Sequence, residues 1–210
     1  MLLGTLACIR RFPVKSLRGE ELDVVHVDAA GIPGDRAQRL VVQSGHSRVG
    51  EAYRGKEDAR LHLTERVDEA LSLAEARGIT LRPESGEHFF DMAPISLMVD
   101  RWVDEVSAHV GYAVEPERFR PNFLVRAEEK FALREGDLQD AQIEIGEVRL
   151  RVRVANKRCV AITYHPEKDA PDPEILAYVA RERAAILGVY CDVLRAGIAR
   201  KGDSVRLLER

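Results

Sequence analysis

Between Glu147 and Val154 the chain alternates without a break. Val148, Leu150, Val152 and Val154 are apolar, while Glu147, Arg149, Arg151 and Arg153 are charged. A period of two sets these groups on opposite faces of an extended strand, so this stretch is half-buried β structure. The same kind of short run recurs at residues 5–12, 22–27, 39–42, 79–82, 123–125, 141–145, 190–194 and 204–208, with turn residues such as Gly31-Ile32-Pro33-Gly34 between them. Glu144-Ile145-Gly146-Glu147 reads as a hairpin turn. Helical spacing occurs in three places only. Val67, Leu71 and Ala74 form one stripe, with Thr64 as N-cap and Gly78 just past the end. Ile95, Met98, Trp102 and Val106 form a second, beginning near Pro94 and ending at Gly111. Asp172 as N-cap and Pro173 in the first turn open a third, which buries Ile175, Leu176 and Val179 and stops before Gly188. Many strands with three inserted helices predict an α+β, mainly β fold: an antiparallel barrel or sandwich, not a parallel βαβ sheet.

The 210 residues suffice for one sizeable core or two closely joined subdomains. With 45% apolar and 32% charged residues and a net charge of -3, the composition is that of a soluble globular chain and argues against a general nucleic-acid binder. No apolar run approaches the roughly 18 residues of a spanning helix, and residues 1–7 lack the charged start and apolar run of a signal peptide, which predicts a cytoplasmic protein with no membrane partner. The three cysteines, Cys8, Cys159 and Cys191, are far apart and make neither a disulfide framework nor a zinc pattern. Neither GxxxxGK[ST] nor a complete GxGxxG is present, which disfavours nucleotide binding through the common loops.

Cys159 stands where the alternation ends, in the cationic segment Asn156-Lys157-Arg158-Cys159. On the local pattern a free cysteine is as a rule a small buried hydrophobe, whereas flanking cations favour the thiolate that attacks electrophiles and ligates soft metals; both readings stand at this point. Cys8 and Cys191 fall among apolar neighbours and read as core, with Tyr190 on the opposite face from Cys191. Cationic and amide residues gather at other strand ends: Lys15-Ser16, Asp35-Arg36 and Arg118-Phe119-Arg120-Pro121-Asn122. Together they predict a site built from several loops that holds an anionic ligand. His165, six residues after Cys159, is a further candidate partner for the thiol.

Taken in order, Phe12-Pro13-Val14-Lys15-Ser16, Gly34-Asp35-Arg36, Phe119-Arg120-Pro121-Asn122, Arg158-Cys159, Gly188-Val189-Tyr190 and Gly202-Asp203 resemble the MOSC family, named for the C-terminal domain of molybdenum-cofactor sulfurases. The resemblance implies a MOSC N-terminal β-barrel portion over residues 1–90 and a MOSC domain over 91–210, closely joined. It implies a pocket for the molybdenum cofactor lined by Lys15, Ser16, Arg36, Arg120, Asn122, Arg158 and Tyr190. Cys159 would be both the metal ligand and the catalytic residue. The implied activity is reduction of N-hydroxylated or N-oxide compounds, with electrons from a separate protein. The alternative is a carrier that holds sulfur as a persulfide, or the cofactor itself, for delivery. Where many relatives have a Thr-Ala-Arg-Gln-like motif, this chain has Gln43-Ser44-Gly45-His46-Ser47-Arg48.

Overall fold

In a computed structural model, which describes residues 1–86 and 88–208, the alternating stretch becomes part of a closed barrel. The strands are β1 (Leu2–Arg11), β2 (Glu20–Leu22), β3 (Val24–Val27), β4 (Gln38–Ser44), β5 (Thr80–Ser85), β6 (Ile95–Val99), β7 (Phe123–Ala127), β8 (Gln142–Ile145), β9 (Val148–Lys157), β10 (Ile186–Arg195), β11 (Gly197–Arg200) and β12 (Ser204–Leu207). The helices are α1 (Val67–Glu75), α2 (Asp100–Val110) and α3 (Pro173–Glu182). Seven strands close the barrel in the order β12-β8-β9-β10-β6-β7-β1, with β12 pairing back onto β1 and β2 appended to the free side of β1. All of these pairings are antiparallel except β6 with β7. β8 and β9 form the expected hairpin, with Ile145 opposite Val148 and Gly146 at φ 56° in the turn.

The inward residues of β9 (Val148, Leu150, Val152) meet Ile9, Leu97, Phe123, Val125 and Val189 in the main core. A second, smaller core gathers Leu40, Val42, Tyr53, Leu61, Ala70, Ala74 and Leu81 around the β4–β5 pair and α1, and Val14 and Leu17 join it from the chain just after β1. Among the described residues no helix is long and apolar enough to cross a membrane.

Three sequence expectations are corrected. The helix expected from Pro94 begins only at Asp100, because Ile95–Val99 is β6. All five residues of β6 are buried, so the strand lacks alternation and its apolar run mimics a helical stripe. Thr64 does not cap α1; it closes the 3₁₀ turn Ala59–Leu63, its hydroxyl donating to the Arg60 carbonyl at 3.0 Å, and Arg66 precedes α1 with no side-chain cap. Residues 22–27 are not one strand but the end of β2 and all of β3, which pair with β1 and β11 in different sheets. The third helix begins as its sequence dictates, Asp172 accepting the Glu174 N–H at 3.1 Å and Pro173 filling the first turn.

Candidate functional site

A cavity of about 1130 Å³ opens between the barrel and the smaller core. Strand ends and the loops after them build its wall, which is where a rigid sheet presents side chains most precisely. Among the described residues thirteen arginines and lysines line it against six aspartates and glutamates, in a chain that is acidic overall. The site is therefore electropositive by design, and anions are the ligands it concentrates.

Lys15, Ser16, Arg36, Arg120, Arg158, Cys159 and Tyr190 all line this one cavity, though up to 175 residues separate them in sequence. Asn122 does not. It lies beneath the wall, 1% exposed, where its Oδ1 accepts Ser96 N–H at 3.0 Å, Ser96 Oγ at 2.9 Å and Arg36 Nη1 at 3.3 Å, and its Nδ2 donates to the Arg10 carbonyl at 3.1 Å. Asn122 thus fixes a lining arginine and the β1–β6–β7 junction. Gly202 and Asp203 also lie outside the cavity, bonded to Leu6 in the turn before β12.

Arg36 and Arg120 both pack over the Phe12 ring, their guanidinium carbons 4.8 and 4.2 Å from its centroid. The ring is attracted to both charges. Arg36 also pairs with buried Asp35, while Arg120 Nη1 donates to the Leu17 carbonyl at 2.6 Å. Arg120 Nη2 is closed off from water with no partner. Arg158 donates from Nε to the Leu187 carbonyl at 2.6 Å and from Nη1 to the Phe119 carbonyl at 2.9 Å. Burial pushes Arg120 down to about 9, with the neighbouring Arg36 charge second, and pushes Arg158 down to about 10. Both values leave full positive charges at neutral pH. Burial raises the Tyr190 phenol, so its hydroxyl keeps its proton and can donate.

The backbone carries a signal that no side-chain pattern shows. Among the described residues six non-glycine positions have positive φ, and three of them are Ser16 (74°), Arg36 (49°) and Arg120 (52°). Each such residue costs about 1–3 kcal/mol, a strain that persists where surrounding structure imposes it and that concentrates at ligand sites.

Cys159 caps the 3₁₀ turn Val160–Thr163 at the end of β9 and is exposed, whereas Cys8 and Cys191 are buried. Burial pushes the Cys8 thiol up to about 11 and raises Cys191 further, as expected of core thiols. His165 does not pair with Cys159: its Nε2 lies 3.2 Å from Glu115 Oε1, and its Nδ1 accepts the Glu167 N–H at 3.1 Å. Glu115 in turn accepts Arg118 Nε at 2.7 Å, and Arg118 Nη1 donates to the Thr163 carbonyl at 2.9 Å, pinning the turn that holds the thiol.

The sequence pattern gave no sign of His62 or Tyr164, which also line the cavity. Their rings stack at 5.0 Å and 6°, and Tyr164 Oη donates to the Lys56 carbonyl at 3.2 Å. Burial, followed by the charge of Arg120, pushes His62 down to about 4, so the ring is neutral at pH 7. Between pH 6.5 and 4 the unfolded chain takes up a proton that folded His62 refuses. Stability therefore falls as pH drops through that window, by roughly 2–3 kcal/mol at about pH 4.5. Phenylalanine at position 62 keeps the stack and removes the titration. Urea unfolding at neutral pH and in that acidic range should show His62→Phe losing less stability than wild type by that amount; equal losses would show that His62 does not titrate this way.

A model of the MOSC domain matches residues 84–206, more than half of the chain. The chain belongs to the MOSC domain family. The matched span holds Arg120, Arg158, Cys159 and Tyr190, while Lys15, Ser16 and Arg36 reach the cavity from outside it. Among solved structures the MOSC chain is similar to the YUAD protein from Bacillus subtilis, at 18% identity over 97% of this chain and 94% of that one, with a TM-score of 0.57. That likeness is one of fold. It is also similar to YiiM from Geobacillus stearothermophilus, at 18% identity over 56% of this chain and 55% of that one with a TM-score of 0.45. YiiM from Escherichia coli is similar at 14% identity over 96% and 71%, again with a TM-score of 0.45. No curated protein matches the chain.

Proposed function

We propose that this cavity binds the molybdenum cofactor, a pterin with a dithiolene and a phosphate, and serves the reduction of N-hydroxylated or N-oxide compounds. The observation that carries this reading is the meeting, in one wall, of an exposed thiol with a buried guanidinium whose Nη2 has no partner. A buried donor left unpaired costs roughly 1–3 kcal/mol, so its partner belongs to the ligand. The donor set fits the group. Arg120 offers its unpaired Nη2 to a phosphate or pterin oxygen, Arg36 adds positive charge beside it, Tyr190 Oη and Lys15, whose Nζ donates to Asp91 at 2.6 Å, add single donors, and Cys159 offers a soft sulfur to the metal. Among the described residues no three His, Cys, Asp or Glu side chains cluster as a metal cage, which suits a metal that brings ligands of its own.

When bound, the cofactor supplies two-electron transfer and an acceptor for the substrate oxygen. The chain's residues hold charge and exclude water around it. For a hydroxylamine the balance is R–NHOH plus two electrons and two protons giving R–NH₂ and water, the electrons coming from a separate donor protein. The exposure of Cys159 favours one second reading, a carrier without turnover. There the thiolate takes the terminal sulfur of a donor persulfide, releasing the donor as a thiolate.

The full chain from a host competent for cofactor synthesis should oxidise reduced methyl viologen in the presence of phenylhydroxylamine and not in its absence. No oxidation, together with a mass gain of one sulfur atom on Cys159, would instead establish the carrier.

A further inference from the structure

Glu135 and Arg183 form a buried ion pair that takes no part in lining the cavity. Their side chains are 6% and 5% exposed, and Arg183 Nη2 donates to both Glu135 oxygens, at 2.8 and 2.9 Å. Glu135 Oε1 also accepts the Gly188 N–H at 3.0 Å, and Arg183 Nη1 donates to Glu105. Desolvating two charges commonly costs as much as their attraction returns, so such a pair calls for a role other than stability.

Its role lies in what it brackets. Between Arg183 and Gly188 the chain turns from α3 into β10, and Ala184 and Ala185 both sit in the left-handed region, at φ 50° and 60°. L side chains hold that conformation only where their surroundings impose it. The turn aims two carbonyls at Arg158: that of Ala185 accepts its backbone N–H at 2.7 Å, and that of Leu187 accepts its Nε at 2.6 Å. A Cβ at Gly188 would fall 2.9 Å from Arg158 Nη2. The guanidinium therefore lies across the very residue whose N–H Glu135 holds.

We propose that Glu135 and Arg183 are positioning residues of the cavity, which hold the strained turn whose carbonyls fix Arg158 beside Cys159. Glu135 anchors the far end of the turn at Gly188 and Arg183 its near end. The pair thus sets, from behind the wall, where the positive charge next to the thiol stands.

The test uses the full chain from a host blocked in molybdenum-cofactor synthesis, so that Cys159 stays free and the outcome is separate from the cofactor reading. Cys159 is reacted with a sulfonate-bearing and a trimethylammonium-bearing methanethiosulfonate, each forming a mixed disulfide and expelling methanesulfinate. The ratio of the two rates cancels the thiolate fraction and reports local charge. Wild type should favour the anionic reagent about tenfold, and Arg158→Leu sets the floor. Glu135→Leu should lower the ratio at least about threefold toward that floor, whereas Glu135→Gln, whose amide oxygen still accepts the Gly188 N–H, should retain it. A folded Glu135→Leu protein with the wild-type ratio overturns the proposal. Should that variant fail to fold, Arg183→Lys, which cannot bridge both carboxylate oxygens, should lower the ratio about twofold, and no change there overturns it equally.

Discussion

Methionine in place of Arg120 is expected to leave the protein at least as stable as wild type while weakening the proposed binding of the molybdenum cofactor about a hundredfold. The two effects separate because the fold itself gains little from this guanidinium. Burial and the nearby Arg36 charge both press its pKa down, and Nη2 has no partner. Against these costs stand one bond to the Leu17 carbonyl, the Phe12 ring and the weaker pull of the Asp35 and Asp91 carboxylates. Methionine keeps most of the length, fills the same space and removes a desolvated charge, a change that is commonly neutral or stabilising. For the ligand the balance reverses. A buried guanidinium on a phosphate is worth roughly 2–3 kcal/mol, close to two decades in dissociation constant. Thermal melting and pterin release on dialysis measure the two arms. A variant that melts lower and keeps its cofactor would mean that Arg120 serves the fold.

Gly4→Ala should strongly destabilise the barrel. Gly4 faces Ala127 of β7 on one side and Val205 of β12 on the other, at the seam where the barrel closes. A Cβ there would lie 1.9 Å from the Arg126 carbonyl oxygen and 2.9 Å from the Ala127 Cα. Both are backbone atoms, so no side chain can swing aside and the β1–β7 pairing itself must open. The expected loss is about 3 kcal/mol or more, which lowers the melting temperature of a chain this size by roughly 6–12 °C. Thr5→Ala, at the exposed neighbouring position, should change stability by less than about 0.5 kcal/mol. If the two variants melt alike, the strands at the seam are not packed this closely.

Sequence sufficed where alternation or capping chemistry marked a single element, at β9 and α3, though not at Thr64, which closes a 3₁₀ turn instead of capping α1. The arginines of β9 marked its outer face, and Asp172-Pro173 marked the start of α3 within a residue. It failed at β6, whose burial on both faces erases the period by which a strand is known. The cavity residues were legible as a set of cations and amides at strand ends, and six of the seven cofactor-lining candidates line one cavity, together with Cys159. What could not be read was depth. Nothing in Phe119-Arg120-Pro121-Asn122 distinguishes the arginine that faces the cavity from the asparagine that braces it from below, because β7 begins at Phe123 and the preceding residues do not alternate. His62 and Tyr164 were missed for a different reason. They come from a 3₁₀ turn near the small core and from the end of the Cys159 turn, 102 residues apart, and only the tertiary fold stacks them. Glu135 carries no signal in sequence, because the partners that define it, Arg183 and Gly188, lie 48 and 53 residues further along the chain.

The most direct test is the molybdenum and pterin content of the full chain purified from a cofactor-competent host, measured beside Cys159→Ser. The account predicts close to one molybdenum and one pterin per wild-type chain. Cys159→Ser should fold equally well, retain pterin through the arginines and show one sulfur ligand fewer, the thiolate, in the metal's X-ray absorption spectrum. Wild-type protein free of both molybdenum and pterin would contradict it.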